Sequence, residues 1–261
     1  MYDLAALEAA LTDTIYAGKL HFSAATGSTN SDALAAARDD APHGSVYFVD
    51  EQTAGRGRGD HRWESTVREG LYVSVLLRID VPTVRLPLLP LAVGLAAVDA
   101  IRSASGLSAD LRWPNDLLIG DRKTGGILVE SKTEGDRLAF AAAGIGINVH
   151  QGDFGPGLAT PATSLDLEAG RLVSRQALLV ALLESLEREA TGLVEQDACK
   201  RIPARVEQAS TWVRGRHVEV HGPQACIGVT AGLDDRGFLL VKAGGGLIAV
   251  RTGGIREVKT G

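Results

Sequence analysis

The chain has 261 residues, 45% apolar and 23% charged, enough for one large domain or two unequal ones around a substantial core. Twenty-seven Lys and Arg against 32 Asp and Glu leave a formal charge of −5, so no global basic field suits nucleic acid. The two cysteines, Cys199 and Cys226, show neither metal-ligand spacing nor a disulfide pattern, as expected of a reducing cytoplasm.

The N-terminus begins Tyr2-Asp3 and lacks the charge and cleavage pattern of a signal peptide. Residues 4–12 read as a short amphipathic helix, and 20–24 as a strand. Gly27-Ser28-Thr29-Asn30 then places small polar side chains just before the alanine-rich run 31–37, a helix start that capping alone would explain. Residues 45–49 and 71–78 are rich in branched and aromatic side chains and predict strands. The most apolar run, 86–101, is short for a membrane span and holds Pro87, Pro90 and Asp99, so 84–104 predicts a buried helix. Strands near 110–113, 116–119, 126–131 and 137–149 put a sheet in the middle of the chain. Glycine and proline make 152–161 a loop, and Leu178, Leu179, Leu182, Leu183, Leu186 and Leu193 predict a helix over 174–195. Beyond Trp212 short strands at 216–220, 227–232, 238–241 and 247–250, broken by glycine clusters, predict a small barrel with a boundary near 210.

Two stretches stand out chemically. Gly55-Arg56-Gly57-Arg58-Gly59-Asp60-His61-Arg62-Trp63 alternates glycine, which lets backbone approach a ligand, with arginine, whose planar fork suits phosphate or carboxylate. Arg112-Trp113-Pro114-Asn115-Asp116 interrupts a strand and reads as a turn, followed by Lys123 and Gly125-Gly126-Ile127-Leu128-Val129-Glu130. A lysine there can neutralise charge growing on a phosphate, and an aspartate can hold Mg²⁺. Other nucleotide motifs fail. Lys123-Thr124 follows Arg122 rather than the glycine of a P-loop, and Gly55 to Gly59 is not a dinucleotide fingerprint. Gly144-Ile145-Gly146-Ile147-Asn148 reads first as close packing of glycines at a strand end. No nucleophile elbow occurs, His217 and His221 lack further zinc ligands and read as surface residues, and Arg58-Gly59-Asp60 is a chance tripeptide.

Taken in series, the glycine-arginine loop with Trp63, Arg112-Trp113-Pro114-Asn115-Asp116, Lys123 with Gly125-Gly126, Gly27-Ser28-Thr29-Asn30, Gln52-Thr53-Ala54, Gly144-Ile145-Gly146-Ile147-Asn148 and Thr163-Ser164-Leu165 resemble the biotin–protein ligases. The resemblance implies an α+β fold: a class II synthetase-like central mixed sheet flanked by helices over residues 1–210, and an SH3-like β-barrel over 211–261. It implies activation of biotin by ATP with Mg²⁺ to biotinyl-5′-adenylate, then transfer to a lysine of a biotin carboxyl carrier domain. No covalent enzyme intermediate is needed, in keeping with the lack of a nucleophile.

By the same resemblance Lys123, Arg58 and Asp116 are the catalytic group. Ser28, Thr29, Asn30, Gln52, Arg56, Gly57, Arg58, Lys123 and Gly126 match biotin-binding positions. Gly55, Arg56, Arg58, Trp63, Asn115, Lys123 and Asn148 match positions at the ATP or adenylate, and Asp116 one near the metal. The loop 55–65 is expected to be mobile without ligand and ordered with it, since a mixed anhydride must be kept from water. Two departures appear: Gly59-Asp60-His61 where the family continues Gly-Arg, with Asp60 bringing negative charge, and Arg112 where a lysine is usual. Longer family members carry an N-terminal winged-helix domain. Here about 25 residues precede Gly27, so the expectation is a cytoplasmic ligase that binds neither DNA nor membrane and can form a homodimer. A lipoate–protein ligase and a non-catalytic biotin or adenylate sensor stay as alternatives.

Overall fold

The computed structural model describes residues 2–59 and 61–258. Helix α1 (Leu4–Ala10) starts at Asp3, whose carboxylate accepts the Ala6 N–H at 3.1 Å as a cap. Strand β1 (Leu20–Thr26) leads through Ser28 into α2 (Thr29–Arg38). Strands β2 (Val46–Gln52) and β3 (Gly70–Leu77) follow, the second buried along its whole length. A 3-10 segment, Thr83–Leu88, runs into α3 (Leu89–Ser105). A hairpin of β4 (Asp110–Arg112) and β5 (Asp116–Ile119) precedes the long strands β6 (Arg122–Glu134) and β7 (Arg137–Asn148).

These strands form one sheet in the order β1-β2-β3-β7-β6-β5-β4. The β1–β2 pair is parallel and the other pairs are antiparallel, so the sheet is mixed, as expected. Helix α5 (Arg175–Val194) lays Leu178, Leu179, Leu182, Leu183 and Leu186 into the same core as α3. By length and hydropathy Thr83–Ser105 could cross a membrane. Leu91, Leu95, Val98 and Ile101 are nevertheless buried in that core, which is the buried helix predicted.

The pattern missed α4 (Leu165–Ala169), of five residues, and α6 (Ala198–Ala209), which carries Pro203. The C-terminal region is a five-stranded antiparallel sheet of β8 (Arg214–His221), β9 (Cys226–Leu233), β10 (Leu239–Ala243), β11 (Gly246–Val250) and β12 (Gly254–Glu257). Its order is β11-β10-β9-β8-β12, with β11 and β12 at the two edges. Strand β12 escaped the sequence pattern because it buries one side chain, Ile255.

This sheet is fastened to the first. Ser210 Oγ donates to the Leu111 carbonyl at 2.6 Å and Thr211 Oγ1 to Asp110 at 2.6 Å. The Trp113 indole N–H donates to the Gly237 carbonyl at 3.1 Å. Val218, Val220, Leu239 and Val241 join the core that contains Leu88 and Leu91.

Candidate functional site

A cavity of about 730 Å³ opens between the start of α2, the loop 55–63, β3, the β4–β5 turn, β6 and β7. The end of the C-terminal sheet forms its rim through His221, Thr252 and Arg256. That volume suits a ligand larger than one small ring.

The floor is made by glycines. Gly126 on β6 and Gly146 on β7 are cross-strand partners. A Cβ on Gly146 would lie 2.6 Å from the Trp63 indole, and one on Gly126 would lie 3.2 Å from it. The bland reading of Gly144-Ile145-Gly146 as close packing therefore holds, and what packs there is Trp63 and, over Gly144, Asn30. A Cβ on Gly144 would stand 2.3 Å from Asn30 Oδ1. The indole N–H of Trp63 is buried and has no hydrogen-bond partner among the described residues. Gly146→Ala is accordingly expected to lift Trp63 and weaken nucleotide binding about tenfold, read as an ATP dissociation constant by titration calorimetry. Unchanged affinity would remove Trp63 from the nucleotide end.

One wall is a buried polar network. The Gln52 carbonyl accepts from the Thr29 backbone N–H at 3.0 Å and from its hydroxyl at 3.1 Å, and the Gln52 amide donates to Ser65 Oγ at 2.9 Å. Ser74 Oγ stands 2.7 Å from Thr29 Oγ1 and 2.6 Å from Asn30 Oδ1. The Asn30 amide donates to the Leu128 carbonyl at 3.1 Å and to Glu130 Oε2 at 2.8 Å. Capping does not account for Ser28: it stands at the N-cap of α2 and is buried, but its side chain makes no cap bond. Ser74 and Ser65 were not among the sequence candidates. A single serine inside the apolar strand β3 was the signal available, because a buried hydroxyl needs a partner.

The other wall is charged. The β4–β5 turn brings Arg112 opposite Asp116. Arg112 contacts Asp116 Oδ2 through Nη2 at 2.6 Å and Nε at 3.1 Å, and Lys123 Nζ lies 2.5 Å from Asp116 Oδ1. Burial works to raise the pKa of Asp116, but Lys123 and Arg112 outweigh it and hold the carboxyl below the usual carboxylate range. Arg112 also donates to Thr160 Oγ1 at 3.0 Å and lies over Trp212, 5.2 Å from its centroid. A planar fork serves all three contacts, which a lysine does not. Lys123 Nζ stands 5.6 Å from the Trp63 centroid, within cation–π range.

The glycine-arginine loop is a narrow hairpin. Gly57 N–H donates to His61 O at 2.7 Å and Trp63 N–H to Gly55 O at 3.0 Å. Arg58 reaches the loop between β11 and β12, donating to the Gly253 carbonyl and, at 2.9 Å, to Thr252 Oγ1. Burial lowers its pKa and Asp116 opposes that, and a guanidinium stays charged. Arg56 turns instead to Glu130 on β6, at 2.9 and 2.6 Å. Asp60 lies outside the described residues, so the expectation about its charge is neither met nor corrected.

Asn115 and Asn148 line the cavity, and each also ties its side-chain amide to the backbone. Asn115 donates to the Ile127 carbonyl at 2.7 Å, and Asn148 to the Thr163 carbonyl at 3.1 Å. His217 is exposed, as read, whereas His221 is half-buried at the cavity rim. Asp116 does not fit a resident Mg²⁺ site, because each of its oxygens already faces a cationic side chain. No cluster of three His, Cys, Asp or Glu occurs among the described residues.

The model of the biotin/lipoate A/B protein ligase family matches residues 24–148, from β1 to the end of β7. The biotin–[acetyl-CoA-carboxylase] ligase of Mycobacterium tuberculosis is 35% identical over 244 residues, covering 90% of this chain and 88% of that protein. The chain belongs to the biotin–protein ligase family. The bifunctional ligase/repressor of Bacillus subtilis is 40% identical over 163 residues, 62% of this chain. The match spans about half (50%) of the length of that relative. Among solved structures, a biotin protein ligase from Aquifex aeolicus in complex with biotin and ATP superposes with a TM-score of 0.78 at 26% identity. It covers 93% of this chain and 100% of that one.

Proposed function

We propose that this chain is an ATP-dependent biotin–protein ligase. Biotin's carboxylate attacks the α-phosphorus of ATP, the bond to the β-phosphate oxygen breaks, and biotinyl-5′-adenylate and pyrophosphate result. The amine of a carrier lysine then attacks the acyl carbon, loses a proton and releases AMP, leaving an amide. The observation that carries this reading is Lys123 beside Trp63 at one end of a cavity whose other wall is the Thr29–Gln52–Ser74–Asn30 network.

The two substrates are both anions, so the demand on the protein is positive charge held where they meet. Lys123 and Arg58 supply it. Ser28, Thr29, Asn30 and Gln52 suit the donors and acceptors of the biotin ureido ring, with Gly126 and Gly57 admitting backbone close to the ligand. Trp63 serves the adenine end, with Gly55, Asn115 and Asn148 shaping its surroundings. Loop 55–65 closes over the adenylate and keeps water from the anhydride. Mg²⁺ accompanies ATP through its phosphate oxygens, where it supplies neutralising charge, with Asp116 kept as the partner of Lys123 and Arg112.

The partner class is a biotin carboxyl carrier domain of a carboxylase. The net charge of −5 supports a ligase that does not hold DNA, and two free cysteines support a reducing cytoplasm. The division at 210/211 into a catalytic domain and a C-terminal SH3-like domain is supported by the separate five-stranded sheet. A homodimer is part of the same expectation.

The deciding experiment is ATP–pyrophosphate exchange driven by biotin or by lipoate, with mass spectrometry of a carrier domain incubated with Mg-ATP and biotin. Exchange with biotin and one added biotin on the carrier are expected. Exchange with lipoate alone would make the chain a lipoate ligase, and biotin binding without exchange would make it a sensor.

A further inference from the structure

Arg56 and Arg58 leave one hairpin in different directions. Arg56 meets Glu130 fork to fork, Nη1–Oε1 at 2.9 Å and Nη2–Oε2 at 2.6 Å. The same Glu130 carboxylate accepts the Asn30 amide at 2.8 Å. One side chain on β6 thus ties the loop to the polar wall of the cavity. With side-chain exposures of 41% and 28%, an isolated pair of this kind would contribute little. Its bidentate geometry and the third bond make it part of a network instead.

Two consequences follow from the charges and the atoms. Glu130 neutralises Arg56, so this guanidinium adds no net positive charge to the cavity. It also settles which way the Asn30 amide faces: the nitrogen points at two acceptors, Leu128 O and Glu130 Oε2, and the oxygen at Ser74 Oγ. Without Glu130 the amide loses one of those acceptors and the Ser74–Thr29–Gln52 chain loses its anchored end.

We propose that Glu130 is a positioning residue of this site and that Arg56 is a strap and not an anion-binding group. The Arg56–Glu130–Asn30 chain sets where the loop backbone and the Asn30 amide stand when biotin enters. This rests on the ligase reading above. If Arg56 instead bound a substrate anion, Glu130 would compete with that anion, and removing it would leave binding unchanged or tighter.

The test uses the full chain with Arg56→Gln, Glu130→Gln and the double variant. Biotin dissociation constants, KM for biotin and kcat are measured in ATP–pyrophosphate exchange. Each single variant is expected to weaken biotin binding about tenfold with kcat changed far less, and the double variant no more than the worse single. Additive losses, or a Glu130→Gln variant that binds biotin as well as the parent, would overturn the proposal.

A ligand-free readout separates this from the ligase reading. Trypsin cleavage after Arg58 and Arg62 is expected to quicken severalfold in Glu130→Gln at an unchanged melting temperature. Equal cleavage sinks the strap, whereas a parent protein that binds no biotin sinks the ligase assignment and leaves the cleavage result to decide the strap. Should Glu130→Gln fail to fold, Arg56→Lys keeps the charge and loses the fork. It is expected to quicken cleavage in the same way, and no change would count against the strap.

Discussion

Lys123→Ala is expected to slow biotin adenylation by about 10²–10³-fold, the effect of removing one preorganised charge-stabilising group (about 3–4 kcal/mol). Lys123 Nζ is held 2.5 Å from Asp116 Oδ1 and over the Trp63 ring. Its ammonium is thereby placed before substrates arrive and needs no reorganisation when charge develops between carboxylate and α-phosphate. The proposed role calls for a compact point charge, which a guanidinium does not reproduce. The measurement is kcat/KM in ATP–pyrophosphate exchange, with thermal melting to show that the variant folds. A rate within threefold of the parent would remove Lys123 from the reaction.

Asp116→Ala is expected to cost about 3 kcal/mol of stability as well as activity, because it strands two cations at once. Arg112 has a side chain 9% exposed and loses both contacts to Oδ2. Lys123 loses the group that aims it. The pH dependence follows from the depressed pKa of Asp116. A carboxyl whose folded value lies below its unfolded value, about 4, contributes fully above that value and loses the contribution as pH falls through the folded one. The deficit of the variant, measured by urea unfolding, should therefore be constant across neutral pH and shrink only in acid. A deficit that shrinks as pH rises from 5 to 8 would place the effect on another group.

The same pair of residues shows how far sequence reading reached. Arg112-Trp113-Pro114-Asn115-Asp116 was legible as a turn, and Lys123 as a charge following it. Residue type alone favoured a metal for Asp116. Only the fold showed that the β4–β5 hairpin and β6 bring both cations onto its two oxygens. Arg56 and Arg58 are indistinguishable as letters in one loop. They part in space because Glu130 stands on β6, 74 residues away in sequence, and Thr252 lies in the β11–β12 loop.

The elements themselves were read best where local pattern decides them. The buried strands β2, β3 and β7, the apolar helix α3 and the leucine-rich α5 follow from periodicity and branched side chains, which act within one element. Helix α6, strand β12 and the polar wall through Ser74 and Ser65 did not, since each depends on a partner far along the chain. The amino-acid sequence by itself determined the family, the locally patterned strands and helices, and the loop that carries Arg56 and Arg58. The tertiary structure alone decided which side chains remain free for a ligand, because a charge or an amide counts as free only once every neighbour that folding brings to it is known.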